Sequence, residues 1–216
     1  RPPRLVSERP PRLAVSFGTR KSPLALNQAE RAIELLGMAW PDVECEIVPI
    51  STEGDRTQES GAPLPEIGGK GLFTGDLERA VRAGAIDIAV HSLKDVPTED
   101  APGLVLGSVC LRDDARDVLV ARDGQTLDEL PPGQNIDTSN VRSTDQLRGM
   151  RHDVEILSIR GNVDTRLRKV REGEFDAVVL AAAGIWRLER ESEVTEWFDH
   201  ERMIPAPGQG ALALQC

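Results

Sequence analysis

The sequence predicts an α/β fold, and three observations predict it. Short apolar runs recur along the chain, and each ends in a polar or glycine-rich turn. Helical spacing of apolar residues follows several of those turns. The run 175–181 is nearly all apolar, as a strand covered on both faces requires.

Taken in order, residues 13–17 are a first short strand that ends at Gly18 and Thr19. Ser22-Pro23 then opens a segment with apolar or small residues at Leu24, Ala25, Ala29, Ala32, Ile33, Leu35 and Leu36, which is helical spacing. Residues 43–50 alternate and read as a strand, so the opening is strand, tight turn, helix, strand. Residues 51–71 are polar, rich in Gly and Pro and without periodicity; they read as a long loop, a class that is usually functional or mobile. A short helix over 74–83 carries Asp76 and Glu78 near its positive end. Residues 86–90 form a buried strand that runs into His91-Ser92-Leu93-Lys94-Asp95, and 104–110 another strand.

A second set of elements follows. Strands are expected over 117–121, 154–158 and 175–181, with a short helix or turn over 126–130. Helices are expected over 145–150, over 163–171 where Gly173 closes it, and over 189–198. Residues 204–210 turn through Pro205, Pro207, Gly208 and Gly210 before a last strand over 211–215.

Composition narrows the function. The 216 residues suffice for one large domain or two of about a hundred each. With 39% hydrophobic and 29% charged residues the chain has the make-up of a folded, soluble protein. Lys and Arg number 26 against 36 Asp and Glu, and a net charge of −10 argues against nucleic acid or an anionic membrane as main partner. The longest apolar stretch, 177–185, is about half a membrane span. Cys45, Cys110 and Cys216 are far apart, odd in number and in no metal-ligand spacing, which suits free thiols in a reducing compartment. Residues 1–12, with four Pro and five charged residues, read as a flexible extension and not a secretory signal, so a cytoplasmic protein is expected.

In open α/β sheets, ligands bind beyond the carboxyl ends of the strands. Here those ends carry Gly18-Thr19-Arg20-Lys21-Ser22, His91 to Asp95, Asp137-Thr138-Ser139-Asn140-Val141-Arg142 and Arg160-Gly161-Asn162. Arginine forks and helix N-termini at such positions are how a site for several carboxylates is built. Arg20, Arg142, Arg160 and Arg166 occupy corresponding turns in an acidic protein, which favours anion binding. For Arg166 there is a rival role in a helix charge pattern with Asp164 and Glu172. Thr138, Ser139 and Asn140 suit both N-capping and a carboxylate. Asp95, an acid beside Lys94 on the turn leaving a buried strand, is expected to be partly desolvated and able to assist proton transfer or stabilise a cation; its bland alternative is a turn cap. Gly68-Gly69-Lys70-Gly71 lacks the spacing of a nucleotide loop, with Lys70 a candidate ligand. His91 reads as structural, and no side-chain group has metal spacing.

The series Thr19-Arg20-Lys21-Ser22-Pro23-Leu24-Ala25-Leu26, GGKGLF from Gly68, HSLKDVPTE from His91, IRGNVDTRL from Ile159, FDAVVLAAAG from Phe175 and IPAPGQGAL from Ile204 resembles the porphobilinogen deaminase (hydroxymethylbilane synthase) family, in order and over almost the whole chain from Leu13. The resemblance implies two domains of the periplasmic-binding-protein type II kind, with mixed sheets covered by helices and a cleft between them. Domain one would comprise 13–111 plus 206–216, and domain two 112–205. It implies a cytoplasmic, monomeric transferase of tetrapyrrole (haem) biosynthesis that joins four porphobilinogen units with loss of ammonia. The work is done on a dipyrromethane cofactor held by a cysteine of a third domain, without a metal. By the same resemblance Asp95 is the catalytic carboxylate, and Arg20, Ser22, Ser92, Lys94, Thr138, Ser139, Arg142, Arg160 and Arg166 bind acetate and propionate side chains. Lys70 matches a basic residue near a mobile loop, and Asn140, Gly161 and Gln209 complete the expected site.

Three departures from the family pattern stand out. Cys216 matches a residue of the returning strand, so the attachment cysteine is expected to be absent from this chain. A tandem arginine is here Arg142-Ser143, with Asp137 and Asn140 in place of the usual Gly and Ser. Glu66 stands where Lys is common. The alternative reading is therefore a non-catalytic or altered cleft protein that binds a small carboxylated ligand.

Overall fold

The computed structural model describes residues 14–59, 71–99, 101–110, 112–158 and 161–216. The extension expected over residues 1–12, together with Glu66, Lys70 and Arg160, lies outside the described residues.

Two mixed five-stranded sheets carry the fold. The first contains β1 (Ala14–Arg20), β2 (Glu44–Ile50), β3 (Ile88–Ser92), β4 (Leu106–Val109) and β10 (Leu212–Gln215), in the order β2-β1-β3-β10-β4. β1 runs parallel to β2 and β3, with Phe17 opposite both Ile47 and Ile88. The last strand returns antiparallel between β3 and β4, pairing Ala213 with His91 and Val109. The second sheet contains β5 (Asp117–Ala121), β6 (Asn135–Asp137), β7 (Glu155–Leu157), β8 (Ala177–Ala181) and β9 (Glu196–Trp197), in the order β7-β6-β8-β5-β9. The chain therefore leaves the first sheet after β4, builds the second, and comes back.

Both sheets are covered on both faces, and the strand residues show how. In β5 and β8, Leu119, Ala121, Ala177 and Val179 point into one core with Phe198 and Met203. Their neighbours Val118, Val120, Val178 and Leu180 point into the other, with Leu167 and Ile185. Alternation puts successive residues on opposite faces, so a strand buried on both must be apolar throughout. The expectation for 175–181 holds in that respect, although β8 is parallel to β6 and antiparallel to β5.

Helix α1 (Pro23–Ala39) begins where the sequence places it. Ser22 accepts the Ala25 N–H at 3.3 Å, and Pro23 fits the first turn because no intrahelical donor is needed there. Ala25, Ala29 and Ala32 form its buried face; their small side chains let the backbone lie close against β1. In α3 (Gly75–Arg82) Leu77 is the buried residue.

Two local expectations need correction. The long polar segment is not loop throughout, since α2 (Glu53–Glu59) lies within it. Thr52 Oγ1 accepts the Asp55 N–H at 3.3 Å while Asp55 Oδ2 accepts the Thr52 N–H at 3.1 Å, a reciprocal cap that starts a helix without an apolar stripe. The helix expected over 189–198 is absent. Glu189 takes a left-handed φ of 56°, a turn at Glu191–Glu193 follows, and β9 then pairs Trp197 with Val118 on the sheet edge. The apolar stretch after β8 instead continues as α6 (Ala182–Arg187), since a strand already buried on both faces leaves its next turn inside the core. Helices α4 (Val141–Met150) and α5 (Val163–Arg171) lie where helical segments were read, α4 beginning four residues earlier than 145–150. Among the described residues no helix is long and apolar enough to cross a membrane.

Candidate functional site

A cleft of about 610 Å³ lies between the two sheets, and the strand-to-helix turns of both open into it. Ser22, Asn140 and Asn162 line it, and each is the N-cap of a helix: α1, α4 and α5. Asn140 accepts the Arg142 N–H at 2.9 Å, and Asn162 accepts the Thr165 N–H at 2.9 Å. Three positive helix ends thus face one space, which attracts anions before any side chain is counted.

Every expected site residue that is described lines this cleft: Arg20, Ser22, Ser92, Lys94, Asp95, Thr138, Ser139, Asn140, Arg142, Gly161, Arg166 and Gln209. Lys70 and Arg160 fall outside the described residues. The basic side chains are not free cations. Arg20 lies over the Phe73 ring, 4.2 Å from its centroid, and donates to Asp55 from Nε at 3.0 Å. Burial by itself would raise the Asp55 carboxyl pKa, but hydrogen bonds from Arg20 and Thr52 outweigh it and hold the pKa below the ordinary carboxylate range. Arg166 donates from Nε to the Gly161 carbonyl at 3.1 Å, bonds Ser139 through Nη2 and stands 3.8 Å from buried Asp137. Its rival role with Asp164 and Glu172 does not occur, because those acids pair with Arg190 and Arg168.

Asp95 corrects a further expectation. It ends the 3-10 turn Leu93–Asp95 and is exposed at the cleft, so it is not desolvated as the buried strand before it suggested. The turn tips the chain out of β3 as soon as the sheet ends. Ser92 accepts the Gln28 amide at 2.9 Å, and Lys94 Nζ reaches Gln209 Oε1 at 3.3 Å. His91, just before, is buried and bonded to Gln215 at 3.1 Å; burial pushes its pKa below the ordinary value, so the imidazole is structural.

Several cleft residues escaped the sequence reading. Asp117, at the start of β5, is buried and accepts the Gln209 amide at 3.1 Å. Arg187 of α6 is buried and bonds Asp113 Oδ2 through Nε at 2.9 Å and Nη2 at 2.8 Å, and the Gly210 carbonyl at 2.6 Å. The signal for Asp117, and for Asp113 as the partner of Arg187, was the dense charge around residues 112–117 directly ahead of an apolar strand, where solvated charges have little room. Phe73 is visible only in three dimensions, because it meets Arg20 from another element.

Cys45, Cys110 and Cys216 are unpaired, and none lines the cleft. Among the described residues no group of three or more His, Cys, Asp or Glu could hold a metal ion. The cleft offers cations and helix ends to a carboxylated group, and no thiol stands among its lining residues.

A family model described as porphobilinogen deaminase, dipyromethane cofactor binding domain, matches residues 15–216. A porphobilinogen deaminase of Brevibacillus brevis is 46% identical over 199 residues, covering 92% of this chain and 64% of that protein. One of Leifsonia xyli is 50% identical over 202 residues, covering 94% and 60%. The chain therefore spans less than two thirds of the length of these relatives. Among solved structures, the BenM effector binding domain with its effector benzoate aligns with TM-score 0.51 at 14% identity, over 94% of this chain and 82% of that one. A Bordetella pertussis BvgS periplasmic VFT2 domain aligns with TM-score 0.51 at 15% identity, over 94% and 80%. These likenesses concern the fold alone, which is the two-lobed kind of periplasmic binding proteins.

Proposed function

Because this chain belongs to the porphobilinogen deaminase family, we propose that it forms the two cleft-bearing domains of a hydroxymethylbilane synthase. On this reading it joins four porphobilinogen units into a linear tetrapyrrole, releasing one ammonia per unit. The observation that carries it is the meeting of Asp95 with Arg20, Lys94, Arg142 and Arg166 in one cleft, beneath three helix N-termini.

The physical argument has two parts. Porphobilinogen bears two carboxylates and the growing chain more, so binding needs guanidinium forks and N–H donors clustered within an otherwise acidic protein. Cleavage of the C–N bond sends its electron pair off with the protonated amine as ammonia and leaves a cation spread over the pyrrole ring. A fixed carboxylate beside that ring stabilises the charge as it develops, and we assign this role to Asp95. Arg20, Ser22, Ser92, Lys94, Thr138, Ser139, Asn140, Arg142, Gly161, Arg166 and Gln209 are assigned to the carboxylates and ring nitrogens, with Lys70 and Arg160 added by the family pattern. A bound dipyrromethane would supply the acceptor pyrrole, and Arg142 and Arg166 are the residues here that would hold its acids; its attachment thiol is proposed to belong to a part of the protein beyond this chain. We divide the chain into domains 13–111 plus 206–216 and 112–205, and read the protein as a cytoplasmic monomer acting on a small molecule.

The test is turnover by the natural full-length protein. Wild type should consume porphobilinogen and yield a product that oxidises to uroporphyrin. Asp95→Asn should lower kcat by about 10²- to 10⁴-fold with an unchanged melting temperature. No consumption by wild type, or full turnover by Asp95→Asn, overturns the assignment.

A further inference from the structure

Two guanidiniums on the second-sheet side of the cleft each have a buried carboxylate beside them. Asp117 stands 2.8 Å from Arg142 Nη1, and Asp137 stands 3.8 Å from Arg166 Nε. The pairs differ in kind. Asp117 lines the cleft, whereas Asp137 is 2% exposed and is not among the lining residues, so Arg166 is the member of its pair that faces a ligand. At 3.8 Å the carboxylate of Asp137 is too far from Arg166 for a hydrogen bond. The direction of that guanidinium is set elsewhere: Nε donates to the Gly161 carbonyl at 3.1 Å, and Nη2 bonds the Ser139 hydroxyl.

Asp137 therefore acts on Arg166 through charge and not through aim. A carboxylate that enters the cleft and meets Arg166 also feels the carboxylate beneath it. Burial leaves that negative charge poorly screened by water and salt, so it subtracts from the pull of the guanidinium. Ser143, next to Arg142 on the same wall, adds no cation to make up the difference.

We propose that Asp137 is a specificity-determining residue of the cleft, whose charge weakens the hold of Arg166 on ligand carboxylates. Arg166 keeps its place as an acid-binding residue, and Asp137 sets how strongly it binds. The site accordingly gains little from one further acid on the ligand at this point. The inference rests on the function proposed above for the class of ligand, a carboxylated pyrrole.

Calorimetric titration of the 216-residue chain tests this, since the hydrophobic cores of both sheets close within it. The ligands are the pyrrole that bears an acetate and a propionate, with hydrogen in place of aminomethyl so that nothing can leave, and its two monomethyl esters. Asp137→Asn removes the charge and keeps the shape. It should tighten the diacid, and the ester that retains the acid held by Arg166, by about tenfold. The other ester should change by less than about twofold, because its free acid lies farther from position 137. Adding Arg166→Gln to Asp137→Asn should leave the diacid bound no more tightly than by wild type. A merely structural partner of Arg166 would weaken the acids when lost, so the sign of the change is decisive. Weaker or unchanged diacid binding, an equal gain for all three ligands, or a gain that survives Arg166→Gln overturns the proposal. So does absence of diacid binding by both folded wild type and folded Asp137→Asn. Failure of the function is read separately, from absent porphobilinogen consumption by the full-length protein. Should Asp137→Asn not fold, Asp137→Gly, which removes the side chain altogether, is judged by the same outcomes.

Discussion

His91 lies one residue from the exposed turn of Asp95, yet it is buried on β3 and bonded to Gln215 of β10. Burial lowers its pKa below the ordinary 6.5; Gln215 and the charges of Glu78 and Asp95 act the other way without reversing the shift. As pH falls below about 6.5, the unfolded chain takes up a proton that the folded imidazole refuses. Stability is therefore full above that pH and declines as the pH drops towards the folded pKa. Urea midpoints at about pH 7 and about pH 5 should show a smaller loss for His91→Gln than for wild type, and an equal loss contradicts a buried neutral His91. The structural reading of this residue was available from its place in a buried run. Asp95 shows the opposite case, since its exposure follows from a turn that no residue pattern announces.

Glycine at position 210 is an element-scale requirement. It has φ of 91°, and a Cβ there would stand 2.4 Å from the carbonyl oxygen of Asp113. The connection to β10 passes so close to the segment leading to β5 that Asp113 N–H bonds the Gly210 carbonyl at 3.1 Å. Gly210→Ala combines a left-handed backbone with a backbone clash, and should cost about 2 kcal/mol or more in urea unfolding. A change below about 0.5 kcal/mol would mean the connection is free to move. Elements with strong local signals were legible: α1 from Ser22-Pro23 and its alanine face, β5 and β8 from unbroken apolar runs. Helix α2 was missed because its start rests on the Thr52–Asp55 reciprocal cap and not on periodicity. The helix expected over 189–198 failed because Trp197 finds a partner strand, a contact 79 positions away from Val118 in sequence.

Across the whole molecule, the two sheets are tied at one carboxylate. Asp113 accepts both Arg187 bonds from α6, and stands 3.5 Å from Arg31 of α1, whose guanidinium also lies 4.7 Å from the Trp186 ring centroid. Burial pulls the pKa of Arg187 below its ordinary value, while the hydrogen bond and charge of Asp113 support its cationic form. Removing Asp113 would leave that buried cation uncompensated, a loss of about 3–5 kcal/mol for Asp113→Ala. Calorimetry should show one heat-unfolding transition for wild type and a separation into two for Asp113→Ala, as the sheets lose their common anchor. A single transition at the wild-type temperature would show that the tie carries no cooperativity.

By itself the sequence determined the α/β class, the main strands and helices, the absence of metal-ligand spacing and the family, because these rest on local periodicity and contiguous motifs. It also named most of the basic and hydroxyl residues that line the cleft, Arg187 of α6 excepted, since a strand end is a local feature. Only the tertiary structure decided which charges stand against each other: Asp55 against Arg20, Asp117 against Arg142, and Asp113 between Arg31 and Arg187. These pairs join residues from separate turns and connections, and their electrostatics depend on burial and hydrogen-bond direction, which a one-dimensional pattern does not contain.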